Sequence, residues 1–211
     1  MNDTTKSKFI VFEGGEGTGK TTQIEKLVDR LNESGQKTFL TREPGGTDCE
    51  IAEKIRDLIK DPNHSEMVPE TEFFLFLASR AQHVQKVILP KIEQGIFVIC
   101  DRFHGSTFAY QHFARGLFNL DEMKAINKFA TKGLEPHLTL LLDIQPEIGL
   151  QRISSRRNAD RLDSEALDFH HRVRNGYLEL AKTHPNWKIV NATQDIETIH
   201  SEIWNHVLLH L

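Results

Sequence analysis

The stretch KFIVFEGGEGTGKTT, residues 8–22, decides the fold. An apolar strand pattern, Phe9-Ile10-Val11-Phe12, runs into Gly14-Gly15-Glu16-Gly17-Thr18-Gly19-Lys20-Thr21. From Thr22 an amphipathic run follows, with Ile24, Leu27, Val28 and Leu31 on one face. Strand, glycine-rich loop and helix form the context in which G-x-x-x-x-G-K-[ST] binds phosphate. Glycines let backbone N–H groups curl around phosphate oxygens, and the new helix N-terminus adds positive potential there. Lys20 is then expected to reach the β and γ phosphates, and the Thr21 hydroxyl to help hold Mg²⁺. The bland reading, a glycine-rich turn with a solvated lysine, leaves the flanking strand and helix without a purpose. The loop therefore implies a nucleoside triphosphate site.

Bulk properties narrow the rest. A chain of 211 residues can bury a proper core, and residues 1–211 are expected to form one domain. Hydrophobic residues make up 38% and charged residues 27%, the balance of an ordinary globular protein. A formal charge of −4 argues against general affinity for nucleic acid or an anionic membrane. Apolar stretches such as Leu138 to Leu142 are too short to span a bilayer, and MNDTTKSK has no apolar signal core. Cys49 and Cys100 match no metal spacing, and a reduced, cytoplasmic setting is expected.

Further along, apolar strands alternate with helical patterns. Strands are expected at Lys37 to Thr41, Ile96 to Asp101, Leu138 to Asp143 and Trp187 to Val190. Helices are expected over Ile51 to Ile59, over Glu70 to Glu93 with Pro90 kinking or ending it, through Phe108 and Phe113, from Asp121, from Pro146 to about Ser154, over Leu167 to Leu180 and from Ile196. Five such strands define an α/β fold: a five-stranded parallel sheet covered by helices on both faces, in three layers of the P-loop NTPase type. Ligands gather outside the strand ends of such sheets, so Arg42, in the turn-rich TREPGGT loop, is a candidate anion contact. Asp101, closing an apolar strand, could organise magnesium beside the P-loop. Arg152, Arg156, Arg157 and Arg161 crowd into residues 152–161 with weak apolar periodicity. Beside a P-loop they suggest an arginine-rich lid over about 152–163 that meets phosphates. The competing reading of each is a solvated surface charge.

Five segments in order then make the chain resemble the bacterial thymidylate kinase family over nearly its whole length. They are FEGGEGTGKTT at 12–22, TREPGGT at 41–47, FLFLASRAQHV at 74–84, DRFHGSTFAYQ at 101–111, and the arginine-rich segment. The resemblance implies transfer of the ATP γ-phosphate to dTMP with Mg²⁺, in the cytoplasm, by a homodimer with no nucleic-acid or membrane partner. It implies ATP contacts from Gly14 through Thr22 and from Arg152, with Thr21 and Asp101 serving the metal. For dTMP it implies Arg42 on the 5′-phosphate, Phe76 stacked on thymine and Arg80 on the base edge. Gln111, helped by Thr107, would read the remaining polar edge, with Ser106 nearby and Tyr110 crowding the sugar 2′ position. Glu16 would meet the 3′-hydroxyl, and Arg102 the phosphates.

Family members that carry a basic residue at the place of Gly17 differ from this chain. The form without it keeps its catalytic arginine in the lid, which points first to Arg156, then to Arg157 and Arg161. Lys20, Arg156, Arg102 and Glu16 make up the expected catalytic set. Position 103 is Phe where His or Tyr is common. A GTPase would need a guanine-reading N-K-x-D, and none occurs. A deoxynucleoside kinase shares an Asp-Arg pair after a central strand, yet its acceptor lacks the phosphate that Arg42 would hold. An idle nucleotide-binding subunit would have no use for Lys20, Thr21, Asp101 and the lid arginines together.

Overall fold

The computed structural model describes residues 8–154 and 165–209. Five strands, β1 (Phe9–Glu13), β2 (Thr38–Arg42), β3 (Phe97–Asp101), β4 (Leu138–Asp143) and β5 (Trp187–Asn191), form one sheet in the order β2-β3-β1-β4-β5. Every neighbouring pair is parallel, with Val11 opposite both Cys100 of β3 and Thr139 of β4. The α/β expectation is met, and the strands fall within a residue or so of their predicted places.

Continuous apolar strands are what a sheet covered on both faces requires. Successive side chains of β1 go to opposite layers. Ile10 and Phe12 pack with Ile24, Leu27 and Leu31 of α1 (Lys20–Glu33), and with Ile203, Trp204 and Val207 of α9 (Ile196–Leu208). Phe9 and Val11 pack on the other side with Val84, Ile88 and Phe103. A second cluster there joins Phe73 and Leu77 of α3 (Pro69–His83) to Met123 of α6 (Leu120–Ala130) and Tyr177 of α8 (Leu167–Thr183). Between them in sequence, α2 (Glu50–Lys60) packs against α3, and α7 (Pro146–Ile153) starts at its proline.

Pro90 does not end its helix. Helical backbone continues from α3 through a π-turn, Val84–Ile88, into α4 (Leu89–Glu93). Leu89 N–H bonds to Val84 O, a five-residue step. The wider turn relieves the conflict between a proline ring and the preceding carbonyls, so the helix absorbs Pro90 rather than stopping at it. After β3 the short helix α5 (His104–Thr107) likewise opens into a π-turn, Phe108–Ala114, which carries Tyr110 and Gln111.

Because all strands run the same way, the loops after β1, β2, β3 and β4 emerge at one edge. The order reverses around β1, with β3 on one side and β4 on the other. In open α/β sheets that reversal leaves a crevice at the strand ends.

Candidate active site

The P-loop is held in one shape by its glycines. Gly14 has φ 141°, and a Cβ there would stand 2.5 Å from the Leu142 carbonyl oxygen on β4. Gly17 has φ 65°, and a Cβ would meet the Gly149 oxygen of α7 at 2.1 Å. A side chain at position 17 thus needs α7 to move. Lys20 Nζ folds back to donate to the Gly14 and Gly15 carbonyls at 3.1 and 2.9 Å, and to Thr18 Oγ1 at 3.4 Å. Burial, and next the charge of Arg102, lower its pKa to about 8. A buried ammonium held on neutral carbonyls is poised to exchange them for phosphate oxygens. Thr21 and Thr22 are exposed at the start of α1.

Beside the loop opens a cleft of about 240 Å³. It is walled by Glu16 of the P-loop, by Arg42 at the end of β2, by Phe76 and Arg80 of α3, by Asp101 at the end of β3 and Arg102 just after it, and by Ser106, Thr107, Tyr110 and Gln111. All nine residues expected around the acceptor therefore share one cavity. Phe76 and Arg80 are one helical turn apart, which sets both on the same face of α3.

Charge in the cleft is arranged around Arg102, whose backbone is left-handed at φ 68°. Such a conformation is costly for a non-glycine residue and persists where the surroundings enforce it. Here its N–H bonds to Phe12 O at 2.8 Å, while its guanidinium donates to Gly14 O at 2.8 Å, Tyr177 OH at 3.0 Å and Glu16 Oε1 at 2.6 Å. Tyr110 OH donates to the same Glu16 oxygen at 3.0 Å. Burial opposes the Glu16 charge, but Arg102, then Lys20 and the Tyr110 hydroxyl, hold its carboxyl down at about 2. Glu16 is thus a fixed anion between the P-loop and the cleft. Asp101 Oδ1 is buried with no hydrogen-bond partner. An unsatisfied hard oxygen at a strand end next to the P-loop fits a Mg²⁺ ligand, directly or through water. Among the described residues no group of three or more His, Cys, Asp or Glu could hold a metal ion without further ligands.

Two expected base and phosphate contacts are engaged within the protein. Arg42 donates to Glu53 Oε2 at 2.8 Å, and Glu53 Oε1 in turn accepts from Gly46 N–H at 2.7 Å. Arg80, only 2% exposed, donates to Glu43 at 2.6 Å, to Asn127 at 2.9 Å and to Thr107 Oγ1 at 2.9 Å. Five N–H groups on a guanidinium leave donors to spare. Arg152, on α7, reaches the Gly17 and Ala192 carbonyls, each at 3.3 Å. Arg156, Arg157 and Arg161, and with them most of the expected lid, lie outside the described residues.

The sequence reading missed several supporting residues. Glu13 is buried at the end of β1. It accepts from Phe103 N–H and Ser106 N–H at 3.0 Å each, from Ser106 Oγ at 2.6 Å and from Tyr177 OH at 3.1 Å. It pins the turn that carries Arg102, and burial raises its pKa. A carboxylate closing an otherwise apolar strand was the available signal. Glu43 is held by Arg80 and by His83 Nδ1 at 3.3 Å. Nothing in the sequence marked Tyr177 or Asn127.

A parallel sheet with a P-loop at its central strand, an isolated carboxylate at the next strand end and an arginine-lined cleft of small-molecule size define a P-loop phosphotransferase. Comparison with known proteins is specific. The family model described as Thymidylate kinase matches residues 12–203. Relatives named thymidylate kinase include those of Carboxydothermus hydrogenoformans, 46% identical over 94% of this chain and 95% of the relative, and of Clostridium novyi, 47% identical over 94% and 97%. One from a Geobacillus species is 50% identical over 84% of each chain. The chain belongs to the thymidylate kinase family.

Proposed function

We propose that this chain catalyses ATP + dTMP → ADP + dTDP. The observation that carries the reading is the cleft itself: the Phe76 ring, the polar side chains of Thr107 and Gln111, and the arginines Arg42, Arg80 and Arg102 line one cavity beside the P-loop. Phe76 covers the base, Arg80 and Gln111 meet its edge, and Tyr110 closes the sugar's 2′ side. Glu16, fixed as an anion, accepts from the 3′-hydroxyl and so orients the acceptor. Arg42 leaves Glu53 to hold the 5′-phosphate, and Arg102 bridges that phosphate to the P-loop. No protein nucleophile is needed, because an acceptor phosphate oxygen attacks the γ-phosphorus directly. Lys20 and Arg102 neutralise charge as the bond to ADP breaks, and alignment supplies the rest. Thr21 and Asp101 would serve Mg²⁺, which supplies further charge neutralisation on the phosphates. Arg156 is assigned the transition-state charge from the lid by family resemblance, with Arg152 on the adenine side.

A coupled ADP-release assay across nucleoside monophosphates and deoxynucleosides tests the reading. dTMP should be the best acceptor by far; a preference for a purine monophosphate, or for an unphosphorylated nucleoside, would overturn it.

We also infer a homodimer in the cytoplasm. Ile51 of α2, Phe74 of α3 and Phe129 of α6 are exposed by 54%, 54% and 88%, on helices that pack in that order. Light scattering at micromolar concentration should give twice the chain mass, and a monomer mass would refute it. No helix among the described residues is long and apolar enough to cross a membrane.

A further inference from the structure

We propose that Glu72, which does not line the cleft, is a positioning residue that sets base choice by fixing which end of the Gln111 amide faces the acceptor. The proposal rests on the reading of the cleft as a dTMP site. Glu72 lies on α3 one turn before Phe76 and two before Arg80, and is 1% exposed. Its Oε1 accepts from Gln111 Nε2 at 2.8 Å. Arg115 Nε donates to the same oxygen at 3.2 Å, and Arg115 Nη2 to Glu165 at 2.9 Å.

The two ends of a glutamine amide have nearly the same shape and opposite chemistry. A carboxylate offers only acceptors, so the group facing Glu72 must be the NH₂. Turning the amide over would break the bond to Glu72 and set two acceptor oxygens against each other in a buried place, a repulsion that the Arg115 Nε donation to Glu72 offsets only in part. The carbonyl Oε1 is therefore what Gln111 is held to present to the cleft. On the adjoining wall Arg80 carries only donors, and its position is fixed by Glu43, Asn127 and Thr107. A donor beside an acceptor complements a pyrimidine edge with a C4 carbonyl beside an N3–H. Thymine and uracil have that edge. Cytosine has an amino group beside a bare N3, which sets donor against donor and acceptor against acceptor. Discrimination of this kind works by leaving buried groups unpaired in the wrong complex.

Glu72→Gln keeps the size of the side chain but lets it donate as well as accept, so Gln111 is released to turn over. The ratio of kcat/KM for dTMP to that for dCMP should fall at least ~10-fold, while the KM for ATP stays within about twofold. The exchange Glu72→Gln with Gln111→Glu returns a carboxylate acceptor to the cleft, held by the donating amide now at position 72. It should restore most of the lost preference, and it carries the test should the single variant fail to fold. Steady-state kinetics with both acceptors, beside thermal melts of each variant, decide the matter. Equal losses with dTMP and dCMP would make Glu72 a structural residue only and overturn the proposal, as would an exchange variant as permissive as the single one. A wild-type enzyme with no preference for dTMP over dCMP would instead sink the underlying reading of the cleft.

Discussion

Lys20 shows how one side chain carries both a cost and a function. Its ammonium is buried on carbonyl oxygens beside Arg102, and its pKa falls from the ordinary 10.5 to about 8. A triphosphate replaces neutral oxygens with charged ones, so binding must raise that pKa again. ATP binding at pH 9 should therefore take up roughly one proton, and at pH 6.5, where the lysine is already charged, almost none from this group. Calorimetry in buffers of different ionisation enthalpy measures the uptake, and Lys20→Met should abolish it; equal uptake in the variant would refute the coupling. The sign for stability follows: between about 8 and 10.5 the unfolded chain keeps a proton that the folded one has lost, so this residue makes the ligand-free protein more stable as pH rises there. Turnover of Lys20→Met should drop at least ~10²-fold, the loss expected when one stabiliser of transition-state charge is removed. Lys20 was legible in the sequence because spacing and chemistry coincide in one motif. Glu72 was not, since a carboxylate in a helical pattern gives no sign of whether it meets water or a buried donor, and for Glu13 the one signal was its place at the end of an apolar strand.

At the scale of elements, the site depends on helices that never touch the acceptor. α6 is one: Asn127 accepts from Arg80 Nη1 at 2.9 Å and is 2% exposed. The helix is started by a capping box, with Asn119 Oδ1 accepting from Asp121 N–H at 2.8 Å and Glu122 reaching back to Asn119 N–H at 3.3 Å. Two substitutions separate holding the arginine from holding the helix. Asn127→Leu leaves Arg80 without one partner and should cost about 1–3 kcal/mol of stability. It should raise the KM for dTMP more than ~5-fold with little change in that for ATP. Asn119→Ala should cost about 1 kcal/mol and leave both KM values alone. Denaturant midpoints and kinetics measure these effects; an equal rise in the dTMP KM for both variants would mean that only helix stability matters. Element positions were legible because apolar runs and helical spacing survive in the sequence. The two π-turns were not, because apolar spacing does not separate a five-residue step from a four-residue one; Pro90, just after the first, was the one local mark of either.

Across the whole molecule, the cleft exists because strand order brings three loops and one helix to a single edge of the sheet. The parallel topology, readable from the run of apolar strands, puts Glu16, Arg42 and Asp101 there; α3 and the second π-turn complete the walls. Acceptor choice is then a property of their convergence, and each wall should fail in its own way. Phe76 offers a ring face, so Phe76→Ala should weaken every pyrimidine monophosphate by a similar factor and leave their ranking intact. The thymine methyl adds only apolar contact, so wild type should favour dTMP over dUMP by a modest factor, about 10–200-fold in kcat/KM. Tyr110 is fixed by its bond to Glu16, so it has little freedom to make room for a ribose hydroxyl, and ribosyl TMP should be a poor substrate. Gln111→Ala removes a polar partner from a buried base edge and should cost more than loss of the methyl does. With Arg42 and Arg102 on the acceptor phosphate as proposed, thymidine should be phosphorylated far more slowly than dTMP. The measurement is kcat/KM for dTMP, dUMP, ribosyl TMP and thymidine with wild type, Phe76→Ala and Gln111→Ala. Should Phe76→Ala change the dTMP-to-dUMP ranking while Gln111→Ala leaves dTMP turnover intact, the base lies elsewhere in the cleft and these walls do not read it.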